Sequence, residues 1–261
     1  MDSREAVWRK YDAMEARLAA PLTKRMLELA QLAPGMRVLD LATGRGEPAI
    51  PAAHAVGPTG RVVGVELFAG VLSIARERAE REGLTNLELV VADAGSIELA
   101  GFDVAFARWG LMYFDRPLAA LQATARALVP GGVLVAAVWA EPERVPYFSL
   151  PRQVLAKFAA VPPVDLEKPG TFFYADPARL SGDLERAGFH VEHTEELQVD
   201  VMEAQTGAEL IAWTRAFGMA QLLDGLPAAT RTAWEEELAQ AAPCRLGGVT
   251  RVVVARRLTS R

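Results

Sequence analysis

A carboxylate and two glycines stand close together where the first apolar run of the chain ends. Residues 38–50 read VLDLATGRGEPAI, in which Asp40 precedes Gly44 and Gly46. Glycines let a backbone turn tightly and approach a ligand closely, and the helix predicted to begin near Pro48 directs unpaired N–H groups to the same place. The charge of Asp40 would repel a pyrophosphate and attract a cationic amino-acid group. The segment therefore indicates a nucleotide-like ligand with a cationic end.

The same glycines also fit a dinucleotide site. GRGEPA matches the pattern G-x-G-x-x-A, and Glu66 lies 20 residues after Gly46, as in nicotinamide and flavin enzymes. Asp40 and Glu47 oppose this interpretation, because two carboxylates would flank the phosphates. A purely structural alternative is that Asp40 caps the turn by accepting backbone N–H groups.

Two further acids follow predicted strands. Glu66 ends the second strand, where a carboxylate can accept both ribose hydroxyls or can cap the next helix. Asp93, in VVADAGS, can accept from an adenine amine while the N–H of Ala94 faces a ring nitrogen. An aspartate in that place is also an ordinary N-cap.

Alternating strands and helices must position these residues. Two N-terminal helices are predicted, over 5–18 and 21–32, followed by apolar runs separated by amphipathic stretches. The runs predict strands over 37–42, 61–66, 87–92, 102–107 and 133–139, with helices over 48–56, 69–82 and 117–128. Such alternation predicts a doubly wound α/β fold with a mostly parallel sheet.

The pattern changes after Trp139. Residues 140–175 hold six prolines and two aromatic groups, Tyr147–Phe148 and Phe172–Tyr174. A helix over 176–187 and strands over 189–201 and 249–257 follow, with helices over 208–223 and 227–241 between those strands. We predict a helical cover (1–35), a cofactor-binding core (36–139), an aromatic, proline-rich substrate lid (140–175), and the rest of the core (176–261) with a helical insertion at about 202–245.

Five segments together resemble one family. VLDLATGRGEPAI, the acid Glu66, VVADA, FDVAFARWGLMYF and ALVPGGVLVAAVW resemble the successive motifs of class I S-adenosylmethionine-dependent methyltransferases over residues 36–139. The small-molecule branch with the ubiquinone and menaquinone C-methyltransferases is the most similar. The resemblance implies a Rossmann-like sheet of seven strands in the order 3-2-1-4-5-7-6, the last antiparallel, with insertions forming a lid. The sequence departs from the family at Ala42, where the first loop glycine usually stands.

The resemblance also implies a cofactor, S-adenosylmethionine, and residues that contact it. It places Asp40 and Gly44 near the methionine part, Glu66 on the ribose, and Asp93 and Ala94 on the adenine. The full expected set is Tyr11, Asp40, Ala42, Thr43, Gly44, Gly46, Glu66, Leu67, Asp93, Ala94 and Arg108.

Two members of that set have open alternatives. Arg108 could bind the cofactor carboxylate or an anionic substrate, or it could pair with a surface acid. Tyr11 lies in a helix that the resemblance folds over the cofactor, yet Trp8 and Tyr11 are also spaced as an ordinary packing stripe.

The expected reaction is methyl transfer to a small lipophilic or aromatic metabolite, at oxygen or carbon, mainly by proximity and orientation. None of the three histidines, His54, His190 and His193, is placed to act as a base. Three ways of activating the acceptor remain open: the nucleophile arrives ionised, a carboxylate or tyrosine acts as the base, or proximity alone is sufficient. Catalytic candidates are Tyr113, Tyr147, Tyr174 and Glu141. The aromatic lid predicts substrate contacts from Trp109, Tyr113, Trp139, Tyr147, Phe172, Trp213 and Phe217, unless these form a separate core or a dimer interface.

The composition of the chain argues against several classes of protein. A net charge of −5 argues against nucleic-acid binding, because no excess of cations displaces counterions. One cysteine excludes an internal disulfide framework, and no metal is expected. We expect a cytoplasmic monomer or homodimer without a membrane span. The rival functions are an NAD(P)-dependent oxidoreductase, a cofactor-dependent cyclase that transfers no methyl group, and a non-catalytic binding protein.

Overall fold

The strands form where short runs of aliphatic residues become buried. In β1 every residue after Arg37 is buried, and β2 shows the same pattern after Arg61, as a strand covered on both faces requires. The computed structural model describes residues 3–259, with side chains from residue 5 onward. Residues 1–2 of the predicted cover and 260–261 of the last predicted segment lie outside that range. The strands are β1 Arg37–Leu41, β2 Arg61–Glu66, β3 Leu87–Val91, β4 Phe102–Arg108, β5 Leu128–Trp139, β6 Phe189–Ala204 and β7 Cys244–Arg257.

The sheet has the predicted order 3-2-1-4-5-7-6. Strands β1 to β5 pair in parallel, and β7 runs antiparallel to both β5 and β6. The carboxyl ends of β1 to β5 therefore meet at one edge. Strand β1 lies between β2 and β4, where the chain changes direction across the sheet, and ligands bind at that point in open α/β sheets.

The described helices cover both faces. They are α1 Ser3–Ala30, α2 Ala49–Val56, α3 Ala69–Arg81, α4 Pro117–Ala127, α5 Pro146–Leu155, α6 Pro177–Arg186, α7 Gly207–Thr214, α8 Ala220–Asp224 and α9 Ala228–Ala239.

The prediction of two N-terminal helices was wrong. α1 runs unbroken through Pro21 for 28 residues. An interior proline costs about 3 kcal/mol of helix stability, but Leu22 and Met26 are fully buried on the same helix. Pro21 itself is exposed, so its ring occupies the solvent face while the core holds both halves of the helix together.

The predicted helix over 208–223 is interrupted. A wide turn, Arg215–Met219, separates α7 from α8, and Gly218 in it has φ 146°, a conformation that a residue with a Cβ rarely adopts. The turn directs Phe217 toward α1, where its ring lies 4.9 Å from that of Trp8.

Part of the predicted substrate lid belongs to the core. The segment 140–175 contains α5, and Phe172 and Tyr174 are buried with the side chains of the sheet. Strands β6 and β7 are also longer than predicted. Gly247 lets the backbone of β7 pack closely against β6, and Gly248 lets it pack closely against Val145.

Candidate functional site

The glycine turn has the backbone shape that its sequence requires. Ala42, Gly44 and Gly46 all have positive φ, at 53°, 56° and 92°. Ala42 thus adopts the left-handed conformation where the family usually has glycine. A Cβ on Gly46 would lie 2.6 Å from Cδ1 of Ile50, so only glycine fits there.

Asp40 lies in β1, two residues before the turn begins at Ala42, and is fully buried. Its Oδ2 accepts the N–H of Ala49 at 3.1 Å, so one oxygen has the capping role that the sequence left open. Burial raises the pKa of Asp40 to about 7, against the opposing effects of the Thr43 hydroxyl and the Arg108 charge. Neither the Thr43 hydroxyl oxygen nor Asp40 Oδ1 makes a hydrogen bond within residues 3–259.

Three unpartnered polar atoms meet at this turn. Asp40 Oδ1, Thr43 Oγ1 and Arg108 Nε are buried and have no hydrogen-bond partner among residues 3–259. Arg108 is 9% exposed, and its two terminal nitrogens lie 3.4 Å from Thr23 Oγ1 and 3.7 Å from Glu15 Oε1. Buried polar groups normally find partners. A carboxylate oxygen and a guanidinium nitrogen without partners, on the neighbouring strands β1 and β4, indicate a site for a ligand with both a cationic and an anionic group.

Glu66 connects the glycine turn to the next helix. Its Oε2 accepts the N–H of Gly44 and its Oε1 accepts the N–H of Phe68, both at 3.0 Å. The contact with Phe68 corresponds to the predicted capping role, whereas acceptance of the ribose hydroxyls stays a prediction.

The expected adenine end lies at the ends of β2 and β3. Asp93 accepts the N–H of Gly95 at 2.9 Å, which is the N-cap alternative, and Ala94 is buried beneath it. Leu67 and Val91 are 59% and 46% exposed. Exposed apolar side chains at a ligand-binding edge indicate a surface that a flat apolar group covers.

Helix α1 is tied to the glycine turn by buried ion pairs that the sequence analysis missed. Arg45 is 5% exposed and pairs with Asp12 at 2.8 Å and Glu15 at 2.5 Å. Arg78 pairs with Glu47 at 2.7 Å. The available signal was Asp12 and Glu15 on one helix face, three residues apart, opposite the arginine inside the glycine turn.

Seven aromatic side chains form one contact series at the same edge, which we term the aromatic wall. Trp109 stacks on Trp139 with centroids 4.5 Å apart, and Trp139 contacts Tyr147 at 5.0 Å. Tyr147 contacts Trp213 at 5.7 Å, and Trp213 contacts Phe217 at 5.0 Å. Phe217 then reaches α1 through Tyr11 at 5.6 Å and Trp8 at 4.9 Å.

The other predicted substrate residues are placed differently. Phe172 is 2% exposed and packs edge-on to Phe148 at 4.6 Å, outside the aromatic wall. The Tyr113 hydroxyl lies 3.0 Å from Thr171 Oγ1.

The four catalytic candidates differ in their surroundings. Burial raises the pKa of Tyr113 and Tyr147, so both phenols stay protonated at neutral pH. Burial also raises the pKa of Tyr174, whose hydroxyl donates to Asp183 at 2.9 Å in the core. A backbone hydrogen bond, together with Arg251 and Arg144, lowers the pKa of Glu141, which weakens it as a base.

Two histidines lie on the outer surface with acidic partners: His54 contacts Glu82 at 2.7 Å and His193 contacts Glu195 at 2.9 Å. Within the described part of the chain, no cluster of three or more histidine, cysteine, aspartate or glutamate side chains is arranged to hold a metal ion. No described helix is long and apolar enough to cross a membrane.

Comparison with known proteins agrees with this geometry. Residues 32–160 match the family model described as a methyltransferase domain. The chain is 32% identical to aklanonic acid methyltransferase DauC of Streptomyces sp. (strain C5) over 47% of this chain and 56% of that protein. It is 29% identical to nocamycin O-methyltransferase of Saccharothrix syringae over 80% and 78%.

A ubiquinone/menaquinone biosynthesis C-methyltransferase, UbiE of Ectopseudomonas mendocina (strain ymp), is 36% identical over 51% of this chain and 55% of that protein. The chain thus matches little more than half the length of DauC and of UbiE.

Two solved structures share the fold. An S-adenosylmethionine-dependent methyltransferase from Aquifex aeolicus superimposes with a TM-score of 0.56 over 76% of this chain and 94% of that one, at 21% identity. The [4+2]-cyclase SpnF superimposes with a TM-score of 0.58 over 93% and 82%, at 23% identity. Residues 32–160 therefore form a methyltransferase domain, and the strand order and glycine turn are those of the fold shared with S-adenosylmethionine-dependent methyltransferases.

Proposed function

We propose that this protein transfers a methyl group from S-adenosylmethionine to oxygen or carbon of a small, planar, largely apolar acceptor. The observation that carries the proposal is the group of unpartnered atoms at the glycine turn, Asp40 Oδ1, Thr43 Oγ1 and Arg108 Nε. The amino-acid end of the cofactor bears an ammonium and a carboxylate. An unpartnered carboxylate oxygen and an unpartnered guanidinium nitrogen match those two charges.

The residues fit the cofactor along its length. Asp40 would accept from the ammonium group and Arg108 would donate to the carboxylate, as charge-assisted hydrogen bonds. Glu66 would accept from the ribose hydroxyls, and the exposed side chains of Leu67 and Val91 would cover the adenine. Helix α1 would cover the site, with Tyr11 held against Phe217 at 5.6 Å.

When bound, the cofactor supplies an electrophilic methyl group on a positively charged sulfur. The protein's own contribution is to place an acceptor within about 3–3.5 Å of that methyl group and to exclude water. Aromatic faces suit both tasks, because they attract cations and bury flat apolar molecules. The aromatic wall begins at Trp109, whose ring lies 5.0 Å from the Arg108 guanidinium, so acceptor and amino-acid subsites adjoin.

The relatives support a small-molecule acceptor. DauC and nocamycin O-methyltransferase are named for acting on small molecules, and UbiE is a C-methyltransferase of quinone biosynthesis. Together with the net charge of −5, they favour a small-molecule partner over a nucleic acid. We further propose a cytoplasmic protein that is a monomer or homodimer, which size-exclusion chromatography with light scattering would test.

A pair of ligands tests the proposed cofactor site. S-adenosylhomocysteine carries the amino-acid end, whereas methylthioadenosine has the same nucleoside and lacks that end. We expect Arg108→Leu to weaken S-adenosylhomocysteine binding at least tenfold by calorimetry, because a charged hydrogen bond is lost, and to leave methylthioadenosine binding unchanged. Arg179→Leu, which removes an arginine paired with Glu167 away from the site, is the matched control.

The outcomes separate the alternatives. Tight NAD(H) binding without S-adenosylhomocysteine binding would contradict the proposal in favour of an oxidoreductase. Turnover without a 14-dalton mass gain and without release of S-adenosylhomocysteine would favour a cyclase. Equal losses for both ligands in Arg108→Leu would show that Arg108 supports the fold instead of binding the carboxylate.

A further inference from the structure

Trp109 has a backbone conformation that its side chain disfavours. It follows the last residue of β4 and has φ 55°, in the left-handed region that bulky residues rarely adopt. Among the residues other than glycine within 3–259, only Gln31 and Ala42 share this region. Such strain costs free energy and persists only where the surrounding structure maintains it, which is frequent at functional sites. The contacts of Trp109 are therefore informative.

The left-handed conformation brings two consecutive side chains together. Successive residues of a regular strand point to opposite faces of the sheet, so an extended Trp109 would direct its ring away from Arg108. The N–H of Trp109 still continues the ladder of β4 and β5, because it donates to the carbonyl oxygen of Ala137 at 2.8 Å. The backbone then turns, and the indole ring lies 5.0 Å from the Arg108 guanidinium, a distance at which an aromatic face attracts a cation.

The residue after Trp109 packs against the glycine turn. A Cβ on Gly110 would lie 2.7 Å from the Cβ of Ala42, and Ala42 is itself left-handed, with φ 53°. The end of β4 and the glycine turn are thus in contact with no side chain between them. The direction of the chain at Trp109 permits this contact.

Two residues on β5 and β7 hold the indole ring. Trp139 stacks on it, with centroids 4.5 Å apart and an interplanar angle of 12°, and Thr250 Oγ1 accepts its Nε1–H at 3.1 Å. Trp139 and Thr250 are directly opposite each other in the antiparallel pair of β5 and β7, so their side chains lie on the same face of the sheet. Stacking fixes the plane of the ring, and the hydrogen bond fixes its rotation within that plane.

Packing alone does not require a threonine at position 250. Thr250 is fully buried in a strand that reads VTRVVV over residues 249–254. Valine has nearly the same shape and no hydroxyl to remove from water, and burial of a hydroxyl is unfavourable unless it forms a hydrogen bond. The Trp109 indole supplies that hydrogen bond, so the threonine is explained by the ring that it holds.

We propose, on the basis of the proposed function, that Thr250 and Trp109 are positioning residues for Arg108. Thr250 fixes the indole, and the indole holds the guanidinium so that its unpartnered Nε faces the carboxylate of the cofactor. The contacts of Arg108 with Thr23 and Glu15 connect the guanidinium to α1, whereas the contact with Trp109 connects it to the sheet. Thr250 acts only through Trp109.

Two ligands and two variants of Thr250 test the proposal by calorimetry. S-adenosylhomocysteine carries the carboxylate that Arg108 would bind, and methylthioadenosine lacks it. Thr250→Val should weaken S-adenosylhomocysteine binding about three- to fivefold, because Arg108 stays but loses its fixed aromatic face, and should leave methylthioadenosine binding unchanged. Thr250→Ser keeps the hydroxyl and should keep the native ratio of the two affinities.

Trp109→Phe tests the indole N–H. Phenylalanine retains an aromatic face and cannot donate to Thr250, so S-adenosylhomocysteine binding should fall at least as much as in Thr250→Val. Adding Thr250→Val to Trp109→Phe should cause no further loss, because both substitutions remove the same hydrogen bond. A double variant whose loss is the product of the two single losses would contradict the proposal.

A second buried threonine gives the matched control. Thr124 is fully buried as well, and its hydroxyl donates to the carbonyl oxygen of Ala120 within α4 at 2.8 Å. Thr124→Val therefore removes a buried hydroxyl and its hydrogen bond without affecting the bond between Thr250 and Trp109. It should leave the ratio of the two affinities at its native value, whatever its effect on the melting temperature.

The remaining outcomes separate a positioning role from a structural one. The proposal is overturned if Thr250→Val weakens both ligands equally or neither, if Thr250→Ser behaves like Thr250→Val, or if Thr124→Val changes the ratio as much. Arg108→Leu keeps the two proposals apart. If it lowers the ratio and Thr250→Val does not, the positioning role fails while the proposed function stands. If Arg108→Leu leaves the ratio unchanged, or if the native protein does not bind S-adenosylhomocysteine, both fail.

Discussion

Glu66 accepts a backbone N–H on each of its carboxylate oxygens, from Gly44 in the glycine turn and from Phe68 at the start of α3. A ribose in the proposed site would compete for the same oxygens. The carboxylate therefore has two contributions to separate, one to the conformation of the turn and one to ligand affinity.

We expect Glu66→Ala to weaken S-adenosylhomocysteine binding by about 1.5–3 kcal/mol, the value of charged hydrogen bonds, and to lower the melting temperature because two N–H groups lose their acceptor. Calorimetry and thermal unfolding measure the two effects. Glu88→Ala, which removes an exposed carboxylate paired with Arg61, should change neither. A lower melting temperature with unchanged affinity would leave Glu66 only the capping role.

The sequence predicts residues whose roles are local. Asp40 lies beside its own turn and Glu66 ends its own strand, so short-range rules place them. Glu15 and Arg45 are far apart in the chain and meet only because α1 packs across the glycine turn. No local rule predicts that crossing, which is why neither Glu15 nor Arg45 was among the candidates.

At the scale of elements, strands β1, β2 and β4 were predicted well, because each is a nearly continuous buried apolar run. β5 begins at Leu128, five residues before the predicted start, in a stretch that is only partly buried. The errors lie where tertiary packing overrides a local signal. Pro21 is a standard helix stop, yet the buried face of α1 carries the helix through it. The ends of β6 and β7 alternate in burial or contain glycine, so their length depends on the neighbouring strand.

Gly247 illustrates such a dependence. It pairs with Asp200 on β6, and a Cβ there would lie 1.8 Å from the carbonyl oxygen of Val199. We expect Gly247→Ala to reduce the free energy of unfolding by about 3 kcal/mol or more, as overpacking does when the backbone must move. Denaturant unfolding measures this.

The control for Gly247→Ala is a substitution at a glycine inside α6. A Cβ on Gly182 meets nothing within 4 Å, so Gly182→Ala should raise the free energy of unfolding by about 0.5–1 kcal/mol. A similar effect of both substitutions would show that β7 does not pack against β6 as closely as the structure has it.

At the scale of the whole molecule, one buried acid links stability, ligand binding and pH. Burial raises the pKa of Asp40 to about 7, whereas an unfolded aspartate titrates near about 3.9. Between these values the folded state binds more protons than the unfolded state, so the contribution of Asp40 to stability is fully present below about pH 4 and is lost as the pH rises through 7. A cationic ligand reverses the preference, because it binds the ionised carboxylate.

We therefore expect the melting temperature of the ligand-free native protein to fall relative to that of Asp40→Asn between pH 5 and 8, since the variant has no charge to bury. All other ionisable groups are common to both proteins, so their contributions cancel in the difference. With S-adenosylhomocysteine at a fixed concentration, the stabilisation of the native protein should grow over the same range, because its apparent affinity rises about tenfold per pH unit until Asp40 is ionised. Asp40→Asn should show a small stabilisation that does not vary with pH. A difference in melting temperature that is the same at all pH values would mean that Asp40 is already ionised without ligand. Its charge would then have to be balanced by Arg108.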